Sequence, residues 1–442
     1  MKKLIYILLA ASTVALAATS CKKEEKKDVI NAVTVSLTND GAAVNEADLT
    51  VEIKSSDNTI TYKEVTDAAG TAGFQLKAGI YTASTSFKKA EDGILKVYNG
   101  TAQITVEDNK ENKFQLALTS STTSQVIIKE IYYGGCLKND ETTTFGNDCY
   151  LTLYNNTSEE ADISKLGFAV IDPSNSQARN NYTTNGVLLY EADGWIPAAT
   201  SCWWFQTEVK IPAFSQIVVA IFGAIDHTTT YTHSVNLSHA DYVMYNKNVY
   251  KHSKYVAPDA SIPTNHYLNT FKYGMGTAWM LSNSSPGVFI FIPEETTVEA
   301  FTAQAAGNYY GGDFGSFNCV CKIPAKWITD GVEIFNAPSQ ATNENTKRFT
   351  NAIDAGYVLG TNKKGYSIYR NVDKEATEAI EGNYGKIVYN YAGGTADIET
   401  GSTDPSGIDA EASIAKGAKI VYKDTNNSTN DFHQRLHPAI KK

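Results

Sequence analysis

From Asn31 to about Leu118 apolar and polar residues alternate in short runs: Val33, Val35 and Leu37; Val51 and Ile53; Phe74 and Leu76; Phe114, Leu116 and Leu118. A period of two puts the apolar members of each run on one face of a strand. Turn signals separate the runs, among them Asn39-Asp40-Gly41, Ala69-Gly70 and Asn99-Gly100, and strands spaced in this way predict an antiparallel β-sandwich. Residues 119–125 (TSSTTSQ) read as a Ser/Thr linker. Val126 to Tyr133 opens a second block of strand-like runs that reaches the end of the chain. The pattern predicts an all-β chain of two β-sandwich domains, a small one at 31–118 and a larger one at 126–442.

The opening residues carry a different pattern. Lys2 and Lys3 precede Leu4 to Ala18, an uncharged stretch of 15 residues. It is shorter than the roughly 20 residues a membrane-spanning helix needs and has the order of a signal peptide. Thr19-Ser20-Cys21 follows and resembles the lipobox of bacterial lipoproteins, with Ala18 where Leu is usual. The resemblance implies a signal peptide over 1–20 and a mature N-terminus at Cys21 that is acylated (palmitate among its chains). Several chains at about 0.8 kcal/mol per buried CH₂ would hold the protein permanently. Residues 21–30 form a lipidated tether, and its Cys-Lys-Lys-Glu-Glu resembles the charged export signals of Bacteroidota lipoproteins, which imply the outer face of the outer membrane.

The 442 residues include 38 Lys+Arg and 48 Asp+Glu, a net charge of −10 that becomes −12 once Lys2 and Lys3 leave with the signal. That balance argues against a partner read through its phosphates, so no nucleic acid is expected. Five cysteines remain beside Cys21. Cys136 and Cys149 bracket a polar loop and are disulfide candidates, a closure that would contribute about 3 kcal/mol in the chain-entropy picture. Cys319 and Cys321 share one strand face, and one of them is placed to pair with Cys202. An odd count leaves one cysteine over.

Thr66 to Phe74, followed by Leu76-Lys77-Ala78-Gly79-Ile80-Tyr81, resembles the small carboxypeptidase-regulatory-like sandwiches of immunoglobulin type, which imply a spacer or docking module. In the second block, Asp148 to Thr157, Ala161 to Gly167, Ile211 to Val219, Ala278 to Asn283, Asp330 to Ile334, Ser367 to Arg370 and Asn427 to Phe432 fall in the order of a lamin-tail-like immunoglobulin sandwich. Against that family the chain carries long insertions near 172–200, 223–277 and 336–356. The string from Cys321 to Glu333, with Asp354 to Tyr357, is similar to an uncharacterised family of Bacteroidota surface lipoproteins.

Motifs that carry chemistry are missing: there is no G-x-S-x-G, H-E-x-x-H, G-x-x-x-x-G-K-[ST], G-x-G-x-x-G or EF-hand spacing. No cofactor is called for. The binding candidates are aromatic and histidine side chains. Trp195 and Trp204 could stack on a sugar ring, since Trp203 and Trp204 face opposite ways and one of them belongs in the core. Tyr242, Tyr245 and Tyr250 lie in a Tyr-rich insertion of paratope-like composition, or in an insertion packed on itself. His227 and His233 begin a set of five histidines within forty residues, where a transition metal is the sharper reading and scattered surface side chains the other. Asn139-Asp140-Glu141 and Asp424 to Asp431 are acidic loops with oxygen ligands for Ca²⁺, or plain turns.

The sequence thus predicts a non-catalytic lipoprotein held in the outer membrane by its N-terminal lipid and facing the exterior. Its expected partner is a TonB-dependent outer-membrane protein, for which it would capture ligand or serve as accessory subunit. The alternatives are an adhesin or glycan-binding module with a glycan or peptide ligand, and a hydrolase with an unrecognised carboxylate pair.

Overall fold

Ile30–Asn39 buries Val33, Val35 and Leu37 and turns the alternate residues outward, as its period of two requires. The computed structural model describes residues 29–55, 60–91, 94–123, 125–175, 182–184, 187–303, 306–336 and 347–440. Cys21 and the stretch expected to be a signal peptide, residues 1–20, lie outside these. Two compact units divide the chain, one of residues up to 85 with 100–118, the other of residues 86–99 with 119–442.

In the first unit Ile30–Asn39 pairs antiparallel with Thr71–Lys77 and parallel with Asn112–Thr123. Val51, Ile53, Phe74, Leu76, Leu116 and Leu118 complete its core. Asp40 and Gly41 both have positive φ (49° and 78°), the hairpin turn that their residue types favour. Two sequence expectations are corrected. Asn99-Gly100 is no turn but part of the strand Ile94–Val106, where a Cβ on Gly100 would come within 2.6 Å of Leu118 Cδ2. The glycine allows close approach inside a strand. Residues 119–123 are no linker either: they continue the strand Asn112–Thr123, in register with Leu95 to Asn99. β-branched Thr fits a pleated strand as readily as a loop.

The second unit is built on two six-stranded sheets. The first runs Tyr242–Val243, Gln216–Ala220, Tyr150–Asn155, Val126–Tyr132, Ser367–Arg370, Phe432–Arg435 in spatial order. The second runs Asn269–Lys272, Ser201–Trp204, Gly167–Val170, Gly287–Phe291, Ile328–Phe335, Val358–Leu359. One cluster joins their facing sides, with Ile128, Leu151, Leu153 and Ile368 from the first sheet and Phe168, Trp203, Val288, Ile290 and Val332 from the second. The chain is thus an all-β sandwich protein with only short helices, and no described helix is long and apolar enough to cross a membrane.

Both outer faces are covered as well. Ala169, Ile171, Phe289 and Phe291, of opposite parity to the facing residues, pack under a three-stranded sheet of Trp195–Ala199, Val320–Pro324 and Tyr309–Tyr310. On the other side Ile127, Tyr154 and Tyr369 meet Ile408, Ile420 and Tyr422 from the C-terminal segment. Tyr132, Tyr150 and Ala220 meet Val235, Leu237, Val243 and Ile262 from the 223–277 insertion. Strands such as Val126–Tyr132 and Gly287–Phe291 are therefore buried along their whole length.

A bulge decides where the buried charges go. The register of Val126–Tyr132 on Tyr150–Asn155 shifts between Thr152 and Leu153, so that Thr152 faces Glu130 while Leu153 faces Ile128. Lys129 is left over, and Lys129 and Glu130 both turn to the outer face. Lys129 Nζ bonds Glu411 and Gln216 at 2.6 Å each, with the rings of Tyr154, Tyr369 and Tyr422 within 5.8 Å. Glu130 accepts from Tyr150, Ser367 and the Ala439 N–H.

Arg370 points inward from the first sheet and pairs with Asp330 of the second, which also accepts the Ile128 N–H at 2.6 Å. Asp424 and Asp431 approach the same guanidinium at 3.2 and 3.8 Å. Replacing Arg370 by Met would leave these buried carboxylates without their cation. It is expected to cost about 3–5 kcal/mol in urea unfolding; a loss below about 1 kcal/mol would mean that this pairing does not hold the sheets.

His433 is buried, its Nδ1 2.7 Å from Asn371 Oδ1 and its Nε2 2.8 Å from the Tyr391 hydroxyl. Nδ1–H donates and Nε2 accepts, which fits a neutral ring. Burial, helped by the charge of Arg435, pushes its pKa down to about 3. The unfolded chain takes up this proton near pH 6.5 and the folded one only near 3, so the stabilisation is present above pH 6.5 and lost as the pH falls. Between pH 6.5 and 5 His433→Gln should flatten the decline in stability by about 1 kcal/mol per pH unit. Equal slopes for the two proteins would remove His433 from the account.

Candidate functional site

The sheet that covers the outer face of Ser201–Trp204 and Gly287–Phe291 carries a loop of unusual composition. Residues 307–318, GNYYGGDFGSFN, take in Tyr309–Tyr310 and the loop that leads from it to Val320–Pro324, with one charged residue, Asp313, among them. The backbone is pinned: the Gly315 N–H donates to Tyr273 O at 2.6 Å and the Met275 N–H to Ser316 O at 3.0 Å. Gly311 has φ +80°, and a Cβ there would stand 2.5 Å from Asn318 O, so no other residue fits without a shift.

On this pinned backbone Phe317, Phe314, Met275 and Tyr310 are 69, 59, 54 and 43% exposed. Beneath them the rings continue inward. Phe314 lies 5.9 Å from both Phe271 and Tyr309, Tyr309 stacks on buried Tyr273, and Tyr310 lies 5.2 Å from Trp195. Trp195 in turn meets Tyr182 and Tyr190. Phe314 and Tyr310 are thus exposed ends of a packed aromatic layer on the two faces of the small sheet, and Phe317 and Met275 extend the apolar surface beside Phe314, a surface of the kind that marks a binding site.

The sequence candidates fall in several places. Trp195 reaches this layer from below but is buried, and Trp204 is half-buried on the same side of its sheet. Trp203, of opposite parity, is in the facing core. Tyr250 is a correction: it is fully buried, 5.5 Å from Tyr255 and 5.8 Å from Trp203, with its hydroxyl on Ser201 Oγ. The insertion buries this ring because it supplies part of the sandwich core. Tyr242 stacks on His266 and Tyr245 meets Tyr267, both half-buried. His227 is buried against Phe145 with Nε2 on Gly223 O, and burial lowers its pKa. His233 pairs with Glu141 at 2.7 Å. The histidines are thus spread over separate contacts, and among the described residues no three His, Cys, Asp or Glu side chains are placed to share a metal.

The disulfide candidates are also corrected, since Cys136, Cys149, Cys202, Cys319 and Cys321 are all buried thiols. Cys149 enters the facing core with Sγ 3.4 Å from Tyr133 O, while Cys136 Sγ lies 3.8 Å from Asp148 Oδ2. Cys202 meets the Tyr273 hydroxyl at 3.5 Å, and burial pushes its thiol up to about 12. Shielded, protonated thiols are inert.

Carboxylates that stand close together serve the fold. A hollow of about 570 Å³ is bordered by Asp373, Lys374, Glu375, Lys423 and Asp424. Asp373 caps the Lys374–Glu378 helix through the Ala376 N–H, and Asp424 faces Arg370. In the acidic loops, Asp140 accepts from Thr142 and Thr143, and Asp431 from Thr425 and Asn427. The exposed rings Tyr310, Phe314 and Phe317 were not among the sequence candidates. Their signal was aromatic residues interleaved with Gly, Ser and Asn where no strand period continues.

Residues 215–387 match a family model described as a protein of unknown function, DUF4876. The chain is similar to the crystal structure of a DUF4876 family protein from Bacteroides thetaiotaomicron VPI-5482, with a TM-score of 0.50 and 19% identity over 92% of this chain and 95% of that one. That likeness shows the fold. A DUF3823 family protein from Parabacteroides merdae ATCC 43184 aligns at a TM-score of 0.17 and 8% identity, over 43% of this chain and 80% of that one, and carries no argument. No curated protein matches the chain.

Rings held for packing and rings held for another purpose differ in what their loss costs. Trp203→Ala is expected to destabilise by about 3–5 kcal/mol, and Phe317→Ala by no more than about 0.5 kcal/mol. Thermal or urea unfolding of the two variants checks this, and a large loss for Phe317 would make the loop part of the core.

Proposed function

We propose that the protein is a non-catalytic lipoprotein, acylated at Cys21 and carried on the outside of the outer membrane, where it captures ligand as an accessory subunit of a TonB-dependent transporter. The exposed aromatic loop on a rigid sandwich is the observation that carries this reading. A chain that buries many of its rings leaves Phe314 and Phe317 in solvent on one pinned loop, and exposed apolar patches of this kind are retained where something binds. Lys2, Lys3, the apolar Leu4 to Ala18 and Cys21 support the lipid anchor, and the charged tether after Cys21 supports the exterior face. The lamin-tail-like reading of the second sandwich and the regulatory-like reading of the first fit a scaffold with a spacer. The hydrolase alternative gains no support from carboxylates engaged in a cap and an ion pair.

In outer membranes extracted with mild detergent, the tagged lipoprotein is expected to bring down a β-barrel transporter in near-equal amount. Cys21→Ala should move it into the soluble fraction and abolish that complex. Recovery of the native lipoprotein alone, or of an unacylated protein in the medium by intact mass, would end the reading.

A further inference from the structure

The chemistry of residues 307–318 also narrows what the ligand is, an inference that rests on the ligand-capturing reading above. We propose that Phe314 and Phe317, with Met275 beside them, form a stacking platform for an uncharged glycan chain. Three observations carry this. The first is charge: between Ala303 and Cys321 the sequence has no Lys or Arg and a single acid, Asp313. The nearby Lys272 donates its Nζ to Gly276 O and lies over the Tyr250 ring, so it is engaged within the protein. A loop with no cation of its own gives an acidic peptide, a phosphate or an anionic lipid headgroup little to pair with.

The second is the combination of residue types. Exposed rings present a negative face that attracts the polarised C–H groups of a sugar ring. Asp313 and Asn318 are exposed on the same loop and supply acceptors and a donor for hydroxyl groups. Apolar faces edged by hydroxyls are what a pyranose offers, whereas a purely apolar ligand would leave these polar groups without use.

The third is rigidity. The loop is tied to Tyr273 and Met275 through its backbone, and Phe314 rests on Phe271 and Tyr309. Rings already held in place lose little freedom on binding, which matters for a weakly bound, flexible chain.

The test uses the full-length lipoprotein in detergent with soluble starch, mixed-linkage β-glucan and galactomannan as neutral probes. Polygalacturonate, casein peptides and phosphatidylethanolamine vesicles are the competing classes. At least one neutral polysaccharide is expected to bind in calorimetry or affinity electrophoresis. F314A/F317A should weaken it at least tenfold with unchanged thermal unfolding, while Tyr384→Ala, an exposed ring outside the loop, leaves it unchanged. No binding to any neutral probe, equal binding by F314A/F317A, or loop-dependent binding of the peptides or vesicles instead would each overturn the proposal. Transporter recovery is read in parallel. Loss of the transporter from F314A/F317A without glycan binding overturns the glycan and keeps the accessory role, and glycan binding without any transporter does the reverse.

Discussion

A single guanidinium joins the two sheets of the larger sandwich. Arg370 comes from one sheet, Asp330 from the other, and both have the parity that sends side chains into the facing core. Charges there are costly to bury, and burial pushes the Asp330 and Asp431 carboxyls up while Arg370 draws them back down. Against apolar residues of equal volume such a cluster need not stabilise at all, yet losing one partner is severe. Its geometry is directional in a way that Ile290 against Leu151 is not. Asp330 must meet both the Arg370 guanidinium and the Ile128 N–H, which fixes how the two sheets stack. The Phe432 ring, 4.4 Å from the guanidinium carbon, closes the cluster from the side.

The same logic explains the tyrosines. Covering both outer faces of a sandwich buries strand positions that usually meet water, and the chain fills many of them with side chains that are apolar along their length and polar at the tip. Tyr154 reaches Ile420 O, Tyr369 reaches Glu411 and Tyr132 reaches Asp148. Tyr154 and Tyr369 find partners in the covering layer, and Tyr132 shares Asp148 with Ser234 of the cover, so the cover is held by hydrogen bonds as well as by contact. Lys129 and Glu130, brought to one face by the bulge, are neutralised there by Glu411 and by donors from three elements.

How much of this was legible depends on the distance over which each residue is decided. Val33, Val35 and Leu37 announce their face through neighbours two positions away, and Trp203 against Trp204 follows from the same alternation. Gly100 misleads because its reason is Leu118 on the next strand, and the Ser/Thr stretch misleads because Thr suits a strand as well as a loop. Tyr250 and His227 were ambiguous for a deeper reason. An insertion written in polar and aromatic letters looks like a surface loop unless one knows that a sheet face waits beneath it. The cysteine spacing likewise says nothing of direction, and Cys149 turns into the core while Cys136 turns to Asp148. The candidate site was missed for the converse reason: Tyr310, Phe314 and Phe317 carry no period, and only the absence of a cover reveals them.

That absence is what separates the loop from the rest of the aromatic layer. Tyr182, Tyr190, Trp195 and Tyr273 are the same kind of residue in the same cluster, and all are buried. The inner rings share their buried cluster with Phe289, Phe291 and the thiols of Cys202 and Cys321, so their packing is complete beneath the exposed members. Phe314 and Phe317 gain little from the fold, and their exposure carries a standing risk of aggregation. Glycines that hold the loop in one conformation cost entropy of their own on folding. A surface that is costly to order and unhelpful to stability is retained for what lands on it, and the inner aromatic layer is the rigid floor that makes such a landing specific.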